Sequence, residues 1–156
     1  MSLDSVRAFL ASHAPDIDII EAGSSTATVA EAAAVHGVAP GQIAKTLSLR
    51  VGERVVLIVA RGDARLDNAK LKQALGVKAK MLEAETVETL TGHPVGGVCP
   101  FGLAQPLPVY CDESLRAFDI VLPAAGARHA AIRIAPERLA ALTGATWIDV
   151  ARVEAS

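Results

Sequence analysis

The sequence predicts an α/β (α+β) protein in which helices pack on a mixed, largely antiparallel sheet. Two observations favour this class. Apolar, β-branched runs come in neighbouring pairs joined by short turns, as in IAKTLSLRV, GE and RVVLIVA over residues 43–60. Helical patterns that end at a glycine stand between these pairs. An alternation of paired strands with helices is typical of a sheet covered by helices.

Apolar spacing and capping residues define the first elements. Residues 3–14 predict a helix, because apolar side chains recur on one face, and residues 17–22 predict a short strand. Thr28 followed by Glu31 is a capping-box signature, in which a hydroxyl and a carboxylate satisfy free amides of the first helical turn. A second helix is therefore expected to begin after Thr28 and to end at Gly37.

Similar signals define the middle of the chain. A short helix has Pro40 near its start and leads into the hairpin. Asp67 is the expected N-cap of a helix that Gly76 ends. Residues 77–81 predict a strand, and residues 83–92 predict a further helix.

The last third of the chain predicts three strands, one helix and a final strand or tail. The strands are expected at 107–111, 118–124 and 129–135, and the turn AGAR separates the last two. The helix spans 135–144, with a proline early and a glycine at its end, and the final strand or tail spans 145–151.

Length and composition predict one domain, residues 1–156. The chain is 51% hydrophobic and 21% charged, as ordinary soluble proteins are, and no apolar run nears the roughly 20 residues of a membrane-spanning helix. The N-terminus lacks the basic start and apolar segment of a signal peptide, and two cysteines do not make a disulfide framework. We therefore expect a cytoplasmic protein without a membrane partner.

Positive charge is concentrated in one stretch, although the net charge is −2. Between residues 61 and 80, six cations outnumber Asp63 and Asp67, so the local charge is six minus two, or +4. Such a cluster can contact nucleic-acid phosphates even on a slightly acidic protein, and an ordinary solvated surface is the alternative. The six cations are Arg61, Arg65, Lys70, Lys72, Lys78 and Lys80.

Lys45 stands at a strand position that belongs to the buried face. Side chains alternate along a strand, so Lys45 shares its face with Leu47, Leu49 and Val51. A buried ammonium is costly unless it is paired or reaches a polar cavity. One interpretation places Lys45 at the strand end with its amine in water. The other makes this face a pocket floor, where the cation meets an anionic or carbonyl oxygen.

The segment PVGGVCPFGLAQPLP, residues 94–108, has neither helical nor strand periodicity and is named the glycine–proline loop below. Its three glycines let backbone amides approach a ligand closely, and its four prolines restrict its conformations. A long, stiff loop is often functional, and a packed connector is the alternative. Phe101 is expected to line a pocket or to stack on a base.

Cys99 is the one side chain of this loop with the chemistry of a nucleophile. A reactive thiolate needs a basic neighbour or a helix N-terminus, whereas a free cysteine is more often a small buried hydrophobe, which is the interpretation we favour. His129 is a second candidate for the same pocket, and the other histidines are expected at the surface. No pair of residues has metal-ligand spacing and no nucleotide-binding glycine motif is present, so neither a metal nor a cofactor is expected.

Taken in order, several segments resemble the YbaK/ProX family of aminoacyl-tRNA deacylases. They extend from about residue 24 to residue 145 and are TATVAEAAAVHGV, GQIAKTLSLRV, RLDNAKLKQALG, LTGHPVGGVCPFGL, LPVYCDESL, AAGARHAAIRI and APERLAALTGA. The most specific feature is a lysine after a short helix, followed much later by G-G-V-x-P-F-G. The resemblance implies a compact mixed sheet surrounded by helices.

The resemblance also implies trans-editing, which is hydrolysis of the ester that joins a wrong amino acid to the 3′ end of tRNA. Lys45 is then the critical residue, and loop amides stabilise the oxyanion that forms when water attacks. Aminoacyl-tRNA is the implied partner, with a synthetase as an optional one and no DNA partner. The basic stretch would contact the acceptor stem. The implied aminoacyl site is lined on one side by Gly96, Gly97, Val98, Cys99 and Pro100, and on the other by Ala124, Ala125 and Gly126.

Three positions bear on the choice of amino acid. Thr46 follows the lysine, and AAGARHAA replaces a commoner glycine-rich turn, so Ala125 and His129 are expected to shape the pocket. The resemblance implies cysteine, alanine or 2-aminobutyrate on tRNA(Pro), or serine or threonine on tRNA. One methylene changes binding by only about 1–3 kcal/mol, so these substrates stay open.

Two other classes of function also stay open. A non-catalytic module that binds tRNA or a synthetase through the same pocket predicts binding without turnover. A redox protein that uses Cys99, with Cys111 as resolving partner, predicts a low thiol pKa and peroxide-dependent disulfide formation. Many members of the resembled family have serine at the position of Cys99, so the thiol is expected to be dispensable for deacylation.

Overall fold

Five α-helices and ten short strands make up the protein in a computed structural model that describes residues 2–26 and 28–153. The helices are α1 (Ser2–His13), α2 (Val29–His36), α3 (Asn68–Leu75), α4 (Ala84–Thr91) and α5 (Pro136–Thr143). The strands are β1 (Ile20–Glu21), β2 (Ile43–Val51), β3 (Arg54–Arg61), β4 (Ala64–Leu66), β5 (Ala79–Met81), β6 (Val109–Asp112), β7 (Leu122–Pro123), β8 (Ala130–Ala131), β9 (Thr146–Ile148) and β10 (Ala151–Val153). Short 3₁₀ helices span Pro40–Gln42 and Glu113–Ala117. None of the helices in these residues is long and apolar enough to cross a membrane.

The main sheet has the strand order β5–β2–β3–β6–β9, and β7 also pairs with β2. β2 is antiparallel to β3 and β5, whereas the pairs β3–β6, β6–β9 and β2–β7 are parallel. Two small antiparallel sheets, β1–β8 and β4–β10, complete the architecture. This mixed sheet with helices packed on it confirms the predicted fold class.

Local signals predicted the helix boundaries well. The Thr28 hydroxyl accepts a hydrogen bond from the Glu31 amide at 3.1 Å, and the Glu31 carboxylate accepts one from the Thr28 amide at 3.1 Å, which is the predicted capping box. Asp67 caps α3 through the Lys70 amide at 3.1 Å. Gly37 and the other predicted glycine stops adopt the left-handed conformation that ends a helix.

The hairpin separates two hydrophobic clusters. Leu57 and Val59 of β3 belong to the larger cluster, which includes Phe101, whereas Val56 and Ile58 belong to a smaller cluster under α3. Because strand side chains alternate, these clusters lie on opposite faces of the sheet. The sheet is therefore buried on both sides along most of β3.

Several predicted strands are shorter than their apolar patterns. The expected strands at 17–22, 118–124 and 129–135 reduce to β1, β7 and β8, each of two residues. The segment 145–151 divides into β9 and the start of β10, because the buried carboxylate of Asp112 accepts hydrogen bonds from the amides of Val150 at 2.8 Å and Ala151 at 3.1 Å. The length of an apolar run does not show how many of its residues will pair with a neighbouring strand. Strand length is therefore decided by tertiary pairing.

The outer edge of β2 is only partly paired, and this positions the site. On the edge of β2 that faces away from β3, β7 pairs with residues 43–44 and β5 with residues 49–51, so within the described chain no strand pairs with residues 45–48 on that edge. The Leu82 amide, directly after β5, donates to the Ser48 carbonyl at 3.1 Å. The sheet therefore leaves an opening between β7 and β5.

Candidate functional site

A cavity of about 330 Å³ lies along this opening in the edge of β2. Residues 43–48 of β2 form one wall, α2 and the first turn of α4 contribute apolar side chains, and the glycine–proline loop closes another side. Ala124 and β8 complete the lining. Clefts that are mostly apolar and carry a few polar groups are the usual form of small-ligand sites.

Lys45 lines this cavity and is half-buried. Its Nζ donates to the Gly62 carbonyl at 3.2 Å and also to the Ala64 carbonyl. Burial lowers the pKa of Lys45, the Asp63 carboxylate acts against this effect, and Arg65 adds to it. An ammonium has three N–H donors, so one donor remains without a partner among residues 2–26 and 28–153. The Lys45 amine is thus held rigidly with one N–H uncommitted.

Two amides of the glycine–proline loop are also uncommitted. Gly96 and Val98 line the cavity, and within the described residues their N–H groups have no hydrogen-bond partner. The amide between them, that of Gly97, donates to the Pro94 carbonyl at 2.8 Å. Both residues are half-buried, and backbone amides are nearly always paired with protein or water, so these two are available to a ligand oxygen or to water.

The loop is held by a close approach to the turn at residues 124–128. The Gly126 amide donates to the Gly97 carbonyl at 3.0 Å, and a Cβ at Gly97 would lie only 2.7 Å from the Ala127 nitrogen. Arg128 adds a bond from Nε to the Val95 carbonyl at 2.9 Å. Position 97 therefore requires glycine because another backbone occupies the space of a side chain.

Arg128 links Thr26 to the glycine–proline loop. Its carbonyl accepts hydrogen bonds from the Thr26 amide at 2.6 Å and from the Thr26 hydroxyl at 3.0 Å. Thr26 itself lines the cavity. Thr26 and Arg128 were absent from the predicted site, because neither stands in a segment whose pattern points to chemistry.

Cys99, Pro100 and Phe101 are buried next to the cavity but do not line it. Cys99 and Phe101 are completely buried in the larger hydrophobic cluster. Burial raises the pKa of the Cys99 thiol to about 12, against hydrogen bonds from the Phe101 and Gly126 backbone. A thiol of this kind is a poor nucleophile at neutral pH, which agrees with the favoured interpretation of Cys99 as a core residue.

His93 contacts Cys99 and Phe101 in this buried region. Its Nε2 lies 2.7 Å from the Phe101 carbonyl and 3.6 Å from the Cys99 sulfur, and its Nδ1 lies 2.5 Å from the Ser2 hydroxyl. The expectation of a surface position for His93 was wrong, since the side chain is completely buried. A histidine beside a proline gives no local signal of burial.

The turn at residues 124–128 contributes one residue to the lining. Ala124 lines the cavity, whereas Ala125 and Gly126 are buried behind it and Gly97 is buried on the loop side. His129 lies outside the lining, where its Nε2 is 3.2 Å from the Glu21 carboxylate. The predicted orientation of His129 into the pocket is not what the structure has, because β1 offers that side chain an acidic partner.

His36 and Thr46 add polar atoms to a largely apolar lining. Thr46 Oγ1 and His36 Nε2 are both buried, and neither has a hydrogen-bond partner in the described chain. Burial, followed by the nearby Arg133, lowers the pKa of His36. His36 was expected at the surface, and its place at the end of α2 did not reveal that β2 passes beneath it.

The basic stretch is divided by tertiary contacts. Arg61 is paired with Asp63 at 2.5 Å and lies 4.9 Å from the Phe118 ring centroid, and Lys70 is paired with Asp149 at 3.0 Å. Arg65, Lys72, Lys78 and Lys80 are exposed. The six cations thus do not form one uniform surface.

No group of three His, Cys, Asp or Glu side chains in residues 2–26 and 28–153 is arranged to hold a metal ion. The cavity lining of these residues also contains no carboxylate. Lys45, the two free amides and the hydroxyl and imidazole groups are therefore the polar chemistry that the cavity offers.

Comparison with known proteins places this architecture among described families. The family model of the aminoacyl-tRNA editing domain matches residues 23–142 of this chain. The uncharacterised protein YwhH of Bacillus subtilis (strain 168) is 47% identical over 154 residues, which cover 97% of this chain and 98% of YwhH.

Two further similarities carry a functional description. EbsC of Enterococcus faecalis (strain ATCC 700802 / V583), provisionally named a Cys-tRNA(Pro)/Cys-tRNA(Cys) deacylase, is 33% identical over 121 residues, which cover 76% of this chain and 73% of EbsC. A crystal structure provisionally described as a trans-editing enzyme for prolyl-tRNA synthetase superposes with a TM-score of 0.90 at 35% identity and covers 97% of both chains.

Proposed function

Because the chain belongs to the aminoacyl-tRNA editing domain family, we propose that it hydrolyses the ester between a mischarged amino acid and the 3′ end of tRNA. The observation that carries this proposal is the arrangement of three uncommitted donors around one cavity. They are one N–H of Lys45 and the amides of Gly96 and Val98.

These donors suit the charge that develops during ester hydrolysis. Water attacks the ester carbonyl, and the carbonyl oxygen becomes an oxyanion in the tetrahedral intermediate. Collapse of the intermediate breaks the bond to the ribose oxygen, which takes up a proton, and releases the free amino acid and tRNA. Preorganised N–H donors at such an oxyanion contribute about 100- to 1,000-fold each to the rate.

Proton transfer is assigned to the substrate and to water. The described lining contains no carboxylate, and burial favours the neutral form of His36. The neighbouring hydroxyl of the terminal ribose is the remaining group that can relay a proton to the leaving oxygen. Lys45 then acts through charge and hydrogen bonding, not as a general base.

The substrate that we propose is a small amino acid on tRNA(Pro), with cysteine, alanine and 2-aminobutyrate as the first choices. The similarity to EbsC and to the structure described for prolyl-tRNA synthetase supports this tRNA. The described lining is mostly apolar and carries no carboxylate, which supports an uncharged amino-acid side chain. Serine and threonine esters remain comparison substrates.

The test is a deacylation time course on tRNA(Pro) charged separately with cysteine, alanine, 2-aminobutyrate, serine and threonine. Wild type is compared with Lys45→Met, which keeps most of the side-chain volume but removes the charge, and with Arg54→Gln, an exposed cation outside the cavity. We expect the wild type and Arg54→Gln to release one amino acid rapidly and Lys45→Met to be at least about 100-fold slower.

Stability of every ester at high protein concentration would reject the proposal. Retained binding of aminoacyl-tRNA in that case would favour the non-catalytic module. Equal rates for Lys45→Met and wild type would reject the role of Lys45 while leaving the activity itself in place.

A further inference from the structure

Arg50 and Lys80 lie directly opposite each other on neighbouring strands. They form a register pair of the antiparallel β2–β5 ladder, and both side chains are exposed. In residues 2–26 and 28–153 neither one has an acidic partner within salt-bridge distance. Like charges directly opposite on a sheet repel each other, so this pair is suited to an anion that lies between them.

The pair lies next to two residues that line the cavity, Ser48 and Met81. Ser48 lines the cavity and lies two residues before Arg50 on the same face of β2, a distance of about 7 Å along a strand. Met81 follows Lys80 along β5, also lines the cavity and is 59% exposed, although its side chain lies on the opposite face of the strand from Lys80. An anion bound by both cations would therefore be next to a molecule that occupies the cavity.

Two cations of the basic stretch are engaged elsewhere. The guanidinium of Arg61 is bound by Asp63, and the amine of Lys70 is bound by Asp149 and by the Ala151 carbonyl. Arg50 lies outside the basic stretch of the sequence, and only the β2–β5 register brings it to Lys80. Tertiary structure thus selects a cation pair that the linear charge pattern does not identify.

We propose that Arg50 and Lys80 bind the phosphodiester groups that immediately precede the terminal nucleotide of the tRNA strand whose 3′ end enters the cavity. This inference rests on the proposed function and deepens it. The pair gives affinity for the RNA backbone without contacting the ester, and its contribution decreases with salt as counterion release requires.

The experiment measures the salt dependence of uncharged tRNA binding and of kcat/KM on aminoacyl-tRNA. The variants are wild type, the double substitution Arg50→Gln/Lys80→Gln and the control Arg54→Gln. Arg54 is an exposed cation of the same hairpin, paired with Val51, and therefore lies on the opposite face from Arg50. Each phosphate contact contributes about 0.7 to the log–log salt slope of a single strand, so the double variant is expected to lose about 1.4 and Arg54→Gln none.

A second substrate separates this inference from the proposed function. Aminoacyl-adenosine carries the ester but no phosphate, so its hydrolysis should be equal in all three proteins. If wild type hydrolyses neither ester, the proposed function fails, while the uncharged tRNA measurement still tests the cation pair.

Two results would overturn the inference. One is an unchanged salt slope of tRNA binding in the double variant, or an equal loss of slope in Arg54→Gln. The other is self-association of the double variant with unchanged tRNA binding. That result would assign the two cations to protection of β5, which is an edge strand of the main sheet, against pairing with another chain.

Discussion

Gly97→Ala tests whether the approach of the glycine–proline loop to the turn at 124–128 shapes the cavity. A Cβ at position 97 would lie 2.7 Å from the Ala127 nitrogen and 2.9 Å from its Cα and carbonyl carbon. All three are backbone atoms, so no side-chain rotation can relieve the overlap. The loop and the turn must separate, which also breaks the bond from the Gly126 amide to the Gly97 carbonyl.

The expected loss of stability follows from three contributions. Overpacking of a tight site costs about 1–3 kcal/mol, and loss of the hydrogen bond adds about 1 kcal/mol. Replacing glycine by alanine restricts the unfolded chain, which returns about 0.4–1 kcal/mol. The free energy of unfolding should therefore fall by about 1–4 kcal/mol. The urea midpoint should fall by about 0.5–2 M for an m-value of about 2 kcal/mol/M.

Activity is expected to fall more steeply than stability. Gly96 and Val98 flank position 97, so a displaced loop moves both uncommitted amides. A displacement of about 1 Å at a reacting centre can cost about 100-fold in rate. The matched control is Gly23→Ala, whose added Cβ meets no atom within 4 Å. It should leave the deacylation rate unchanged and raise the urea midpoint by about 0.2–0.5 M through the restricted unfolded chain. Equal behaviour of Gly97→Ala and Gly23→Ala in both assays would refute this reasoning.

Two further predictions concern the buried cluster behind the loop. Burial raises the pKa of the Cys99 thiol to about 12, so this thiol should resist alkylation in the folded protein up to about pH 10. The Cys99→Ala protein should keep most of the deacylation activity. Rapid alkylation at pH 7, or an inactive but folded Cys99→Ala protein, would contradict these expectations. Burial lowers the pKa of His93 below its usual 6.5, although the Phe101 carbonyl acts against this, so the unfolded chain takes up a proton at higher pH than the folded protein. The free energy of unfolding should therefore decrease as pH falls below about 6.5, and His36 should contribute a smaller part of this decrease. Urea unfolding at pH 8, 6.5 and 5.5 should show a shallower decrease for His93→Gln than for wild type. The same decrease in His93→Gln and wild type would assign the effect to other groups.

The candidate site shows where prediction from the sequence succeeds. Lys45 was identified because strand alternation places it on the face of Leu49 and Val51, and those two side chains are indeed buried. The glycine–proline loop was identified because its composition fits neither a helix nor a strand. Both signals are local, since they depend on residues a few positions apart along the chain. The roles of these residues in catalysis remain predictions.

Local signals of this kind could not show which residues of the glycine–proline loop line the cavity and which are buried in the core. Gly96 and Val98 line the cavity, whereas Cys99 and Phe101 point to the core with His93. The buried side includes a contact of Ser2 with His93, which joins residues 91 positions apart. No spacing rule within the loop could have revealed which side chains would be buried.

The sequence by itself determined the elements whose stability depends on near neighbours: the capping box at Thr28, the N-cap at Asp67, the glycine stops and the β2–β3 hairpin. These features are governed by backbone conformation and by hydrogen bonds across only a few residues. Tertiary structure alone decided strand order, the opening between β7 and β5, and the pairing of Arg50 with Lys80. Those outcomes depend on which distant segments complete the hydrogen bonds of each strand edge and bury its apolar side chains, and a pattern of neighbouring residues carries no information about distant partners.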